Sequence, residues 1–193
     1  MQPIRQRLRR LLGKEDVLAI SRRYFVSNGF DGTLTSIGIV VGAVLSGVPD
    51  GLTVVKIGLG AAVGLCTSAL WSVWEIERAE TRAEIRRIER AMLVDLDDTR
   101  VQRERSGARL VHAVASGLGP LIGILVPLVP FAFEGALFTM AEAALVAVAL
   151  GVGVLGVFGA YMGSMSGQRW YVAAVRMGFA GIVVAVINYF LPG

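Results

Sequence analysis

The chain has 193 residues, of which 54% are hydrophobic and 24 are glycine, with a mean hydropathy of +0.64 and a formal charge of +4. Charged residues make up 18%, against about a quarter in a soluble domain, and they are bunched between apolar runs of the roughly 20 residues needed to cross a bilayer. A water-soluble fold is thereby excluded. The runs are also too long and continuous for barrel strands, which leaves an all-α integral membrane protein.

Residues 1–29 form a basic segment. Its first 23 residues carry seven Lys/Arg and two acids, with Ile4, Leu8, Leu11 and Leu12 at helical spacing. Such a pattern suits an amphipathic helix on an anionic membrane surface, or a solvated tail that only sets orientation. The segment has no apolar core ending in a small-residue cleavage site, so no cleavable signal peptide is expected.

Five spans follow. The first, about Phe30–Val48, ends at Pro49-Asp50-Gly51, a turn signal. The second, about Leu52–Trp74, completes a membrane unit over 30–74. A charged segment occupies 75–109 and is expected to form a short cytoplasmic helical insert. Residues 110–193 hold the remaining spans, about Leu110–Phe133, Met140–Met162 and Trp170–Leu191.

Basic residues set the orientation. Seven precede the first span, nine lie between Glu75 and Arg109, and Arg169 marks the loop between spans four and five. All three places share one side only if there are five spans. The N-terminus is then cytoplasmic and the C-terminus outside. Trp71, Trp74, Trp170 and Tyr171 read as interfacial anchors.

Small residues recur every four positions: Gly38, Gly42 and Ser46; Gly60 and Gly64; Gly119 and Gly123; Gly159 and Gly163. Faces of this kind let helices approach closely in lipid, and a tightly packed bundle with a homodimer seam is expected. Cys66 is expected to serve packing. One cysteine and one histidine, His112, exclude a disulfide framework and any cysteine- or histidine-cluster metal site within one chain.

The stretch GFDGTLTS, Gly29–Ser36, looks like the opening of haloacid-dehalogenase phosphatases, whose two aspartates act as nucleophile and acid/base. Here Gly29 stands at the nucleophile's position and only Asp31 remains, followed by an apolar run. Phosphoryl transfer is excluded, and no other nucleophile–base pair is visible, so no enzymatic activity is expected. Asp31 has two readings: an ionisable group at the edge of a span, and therefore functional, or a helix N-cap.

RRYFVSNGFDGTLTSIGIVVGAVLSG (Arg22–Gly47) resembles the first helix of the vacuolar iron transporter family. GLGAAVGLCTSALWSVWEIERAE, PLIGILVPLVPFAF and GQRWYVAAVRMGFAGIVVAVINYF resemble its second, third and last helices, in order. The likeness is to a short prokaryotic branch, which implies a prokaryotic plasma membrane. The resemblance implies a dimer that exports divalent metal, iron or manganese, from the cytoplasm in exchange for protons, with Asp31 on its path. It implies no permanently bound cofactor; the metal ion is substrate. The expected partners are the bilayer, a second copy and the cation, and no nucleic acid. Two departures stand out. Ser68-Ala69 replaces the family's Ser-Met pair, and Ala61 stands where a glutamate is usual.

Thr35 and Ser68 can offer oxygens to an ion beside Asp31, as can Thr33, although such hydroxyls also bond to backbone carbonyls. Glu77, Glu80 and Glu84 fall at i, i+3 and i+7 on one helix face, an oxygen-rich set suited to a divalent cation. Asp95, Asp97 and Asp98 can add carboxylates, and Met92 a sulfur. The same segment also reads as a charge-laced hairpin, with Arg78, Arg82, Arg86 and Arg90 on a neighbouring face and Ile85, Ile88, Met92 and Leu96 as its seam. Arg176 is expected to snorkel to the interface or to pair with Asp31. The resulting expectation is a divalent metal transporter. The alternative is a non-transporting scaffold or partner-binding subunit that keeps the fold.

Overall fold

The computed structural model of the chain describes residues 15–92 and 100–191. Five helices follow one another: α1 (Glu15–Leu45), α2 (Gly51–Met92), α3 (Arg100–Leu128), α4 (Met140–Met165) and α5 (Trp170–Phe190). A 3-10 turn, Val129–Phe133, extends α3. Each helix is long and apolar enough to cross a membrane, and no strand occurs among the described residues. The chain is an integral membrane protein with five such helices among its described residues. In lipid the backbone has no other partner for its N–H and C=O groups, so glycines at 29, 32, 38 and 42 do not interrupt α1.

Two helices outrun the spans expected of them. The first helix begins at Glu15, whose carboxylate and that of Asp16 lie in the first turn, where negative charge complements the helix dipole. The second runs 42 residues without a break, about 63 Å at 1.5 Å per residue. Its last five turns, Glu75 to Met92, are mostly Glu, Arg, Ala and Ile, good or fair helix formers with no glycine or proline to stop them. Over 75–92 the charged segment is thus a direct continuation of the second membrane helix, and from Arg100 it belongs to α3. The expected N-terminal helix and the acids Asp95, Asp97 and Asp98 fall, wholly or in part, outside the described residues.

The helix ends are set by local chemistry. After α1, Gly47 takes a positive φ of 69°. The N–H of Val48 donates to Ala43 and that of Gly47 to Val44, a Schellman ending. Asp50 then caps α2, accepting from the Thr53 N–H at 2.8 Å and the Thr53 hydroxyl at 2.9 Å. Thr139 and Glu142 form a reciprocal capping box at the start of α4.

The bundle is organised around α3, which packs most extensively on α1 and on α2. Its prolines 120 and 127 lie within the helix; in lipid, neighbouring helices make such residues tolerable. A β-carbon on Gly32 would sit 2.6 Å from the Pro120 Cα, and one on Gly123 would sit 2.7 Å from the Thr33 hydroxyl. Only glycine lets α1 and α3 lie this close. Gly159 and Gly163 do the same for α4 against Ala174 and Trp170 of α5. Gly42, Gly60 and Gly64 meet nothing within 4 Å, so part of the small-residue pattern packs the single chain and part lies open. Val40, Val54, Ile124, Leu128 and Phe131 form the apolar core near the α1–α2 turn.

Candidate functional site

The end of the bundle opposite that core is polar inside. Tyr24, Asn28, Asp31 and Thr35 follow one another on α1 at intervals of four, three and four, a single helix face. The Tyr24 hydroxyl donates to Glu77 Oε1 of α2 at 3.3 Å. The Asn28 amide donates to the Tyr24 carbonyl at 2.9 Å and to Ser116 Oγ of α3 at 3.0 Å. Ser116 in turn donates to the Ala69 carbonyl of α2 at 3.0 Å. One chain of hydrogen bonds thereby ties three helices together, and a buried polar network rigidifies when each member is satisfied.

His112, on α3 one turn before Ser116, is 3% exposed. Its Nδ1 lies 3.1 Å from Glu77 Oε1, whose side chain is 15% exposed. The approach is close enough for an ion pair but not aligned as a hydrogen bond, and Nε2 has no hydrogen-bond partner either. A buried polar group left in this state costs about 1–3 kcal/mol. Ser21 Oγ, Arg22 Nε and Arg109 Nε are buried without partners at the same end. Arg109 spreads its guanidinium over Trp74, 5.0 Å from the ring centre, and donates to Ser106 at 3.1 Å.

Asp31 lies in the middle of α1, exposed. The helix begins sixteen residues earlier, so the N-cap reading of Asp31 is overturned: its local N–H groups are already bonded within the helix. No hydrogen bond or ion pair engages its carboxylate among the described residues. Arg176 is exposed on α5 and is not paired with it. Thr35 donates to the Asp31 carbonyl at 2.8 Å and Thr33 to the Gly29 carbonyl at 2.7 Å, the local backbone bonding open to hydroxyls in membrane helices. Ser68 is exposed on α2, while its neighbour Ala69 is buried.

The three glutamates diverge in environment. Glu77 turns inward to Tyr24 and His112, whereas Glu80 and Glu84 are exposed. No group of three or more His, Cys, Asp or Glu side chains gathers as a metal cluster among the described residues. The exposed Arg78–Glu75 pair at 3.3 Å is a surface contact of little worth.

Tyr24, Asn28, His112 and Ser116 are the members of this site that sequence reasoning did not select. A usable signal existed. Once α2 and α3 are taken as antiparallel neighbours around the 93–99 connection, Glu77 and His112 fall at similar distances from it on facing helices.

The structure is thus a bundle of five helices long and apolar enough to cross a membrane, with a polar seam at one end and a carboxylate in the middle of α1 that nothing engages among the described residues. Residues 75–192, more than half of the chain, match the VIT family. The chain belongs to this family, a family of membrane metal ion transporters. Over 172 residues it is 24% identical to Uncharacterized protein MJ0645 of the archaeon Methanocaldococcus jannaschii, covering 88% of this chain and 87% of that protein. No solved structure matches the chain.

Proposed function

We propose that the protein exports a divalent cation of the iron or manganese type from the cytoplasm in exchange for protons, along a path that includes Asp31, Thr35 and Ser68. The observation that carries this reading is Asp31 itself. A carboxylate at the centre of a membrane helix costs about 2.5–3.5 kcal/mol on insertion scales, and here it is neither capping a helix nor paired among the described residues. Such a group belongs against water, a cation or a second subunit. The open glycine face of α2, Gly60 and Gly64, supports a homodimer whose seam adjoins this path. Glu77, Glu80 and Glu84 gather cation at the basic, cytoplasmic side, with the N-terminus inside and the C-terminus outside a prokaryotic plasma membrane. Protons compete with metal for these carboxylates, which gives exchange a physical route.

A second reading, a non-transporting scaffold on the same fold, is favoured by one feature. Position 69, where the family pattern has a methionine, is a buried alanine whose carbonyl is taken by Ser116.

The test is uptake of Fe²⁺, Mn²⁺ and Zn²⁺ into proteoliposomes, with and without a pH gradient, for wild type and Asp31→Asn. Gradient-dependent uptake that vanishes in the variant is expected. Full activity in Asp31→Asn would remove the path, and no uptake by folded wild type would favour the scaffold.

A further inference from the structure

We infer that His112 and Glu77 form a binding station for a borderline divalent cation of the Fe²⁺, Co²⁺ and Zn²⁺ class, where α1, α2 and α3 meet. The inference deepens the transport reading and rests on it for the cation's onward route, though not for the binding itself.

Four observations converge. The imidazole is almost wholly buried, yet neither nitrogen makes a hydrogen bond. A buried imidazole without a hydrogen bond calls for an explanation, and an ion site is one of the few available. Nδ1 and Glu77 Oε1 stand 3.1 Å apart, off the line of an N–H···O bond. Two ligands sharing one ion, at about 2.0–2.2 Å from it, stand about 2.8–3.6 Å apart across octahedral and tetrahedral geometry. The spacing therefore suits joint coordination, whereas the misalignment does not suit a simple imidazolium–carboxylate bond.

The carboxylate is also held in place. Tyr24 donates to Glu77 Oε1 at 3.3 Å, the kind of outer contact that fixes metal-binding carboxylates. Arg109, a cation on the same helix as His112, lies over the Trp74 ring and bonds to Ser106, and it makes no ion pair with Glu77. One nitrogen with one carboxylate oxygen favours a transition metal over Mg²⁺ or Ca²⁺, which prefer all-oxygen sites. The exposed Glu80 lies three residues further along α2 on the same face.

The site also lies at the start of a route. From Tyr24 the polar face of α1 passes Asn28 to Asp31, a rise of about 10 Å. A cation released from His112 and Glu77 thus has a continuous polar face to follow to the carboxylate at mid-span.

The single histidine makes the test clean. Tag-free protein with ¹⁵N-labelled imidazole is titrated with Zn²⁺ and, separately, with Mg²⁺ in detergent micelles, and the one imidazole is followed by NMR. Zn²⁺ is expected to move one ring nitrogen to a metal-coordinated position, and Mg²⁺ to leave it in place. In Glu77→Gln the Zn²⁺ affinity is expected to fall at least about tenfold, while Asp31→Asn keeps the wild-type shift. An imidazole unmoved by saturating Zn²⁺ in folded wild-type protein overturns the site without recourse to any variant. Equal affinity in Glu77→Gln overturns the pairing. A Zn²⁺ shift in protein that transports nothing keeps the site and removes the transport reading; transport without any shift does the reverse.

Discussion

Replacing Gly32 by alanine should loosen the seam between α1 and α3. The added methyl carbon would stand 2.6 Å from the Pro120 Cα and 2.9 Å from its carbonyl oxygen. Both are backbone atoms, so no side-chain rotation relieves the contact and the helices must separate. Overpacking of this kind costs about 1–3 kcal/mol. Alanine's better helix propensity offsets up to about 1 kcal/mol, so the measurement needs a reference that shares that gain without the clash. Gly153, on α4, meets nothing within 4 Å and serves. Thermal unfolding in one detergent should place Gly32→Ala below Gly153→Ala by roughly 2–12 °C, taking about 2–4 °C per kcal/mol for a chain of this size. If the two variants unfold together, the close approach of α1 and α3 at Gly32 is wrong.

Two further outcomes follow from the hydrogen bonds. Ser116→Ala leaves the Asn28 amide and the Ala69 carbonyl without their shared partner; it should destabilise by about 1–3 kcal/mol, read by the same thermal unfolding. Asp50 has its carboxyl held below the usual range by the Thr53 N–H and then by the Thr53 hydroxyl. Its contribution is therefore fully present above the unfolded-state value, near 3.9, and is lost as pH falls through the lowered folded value. Asp50→Ala should be less stable than wild type at pH 7, with the difference closing at strongly acid pH. A difference that persists unchanged in acid would refute the cap.

Much of the fold could be read from the residues because lipid imposes so few options. Length and hydropathy mark five crossings, and the turn at Pro49–Gly51 and the break at Gln168–Arg169 fall where they were expected. The starts and ends were less legible for a definite reason. Hydropathy senses where lipid ends, not where helical hydrogen bonding ends. Arg22 and Arg23 look like a tail, and Glu75–Arg90 looks like a separate insert, yet nothing in either stretch breaks a helix. Asp31 suffered most from this, since its reading as a cap depended on α1 starting beside it. His112 was illegible for another reason. A lone histidine forms no cluster along the sequence, and its meaning comes from a carboxylate on the facing helix and from burial that depends on α1.

The unbroken length of α2 gives the molecule leverage. Because Glu77 shares one rod with Gly51 at the far side of the membrane, a tilt of about 5° about that distant end sweeps Glu77 sideways by about 3 Å, given a rise of 1.5 Å per residue. That displacement exceeds a metal–oxygen bond. A tilt of that size carries the Glu77 carboxylate out of reach of His112, and it also has to break the Ser116–Ala69 bond that ties α2 to α3.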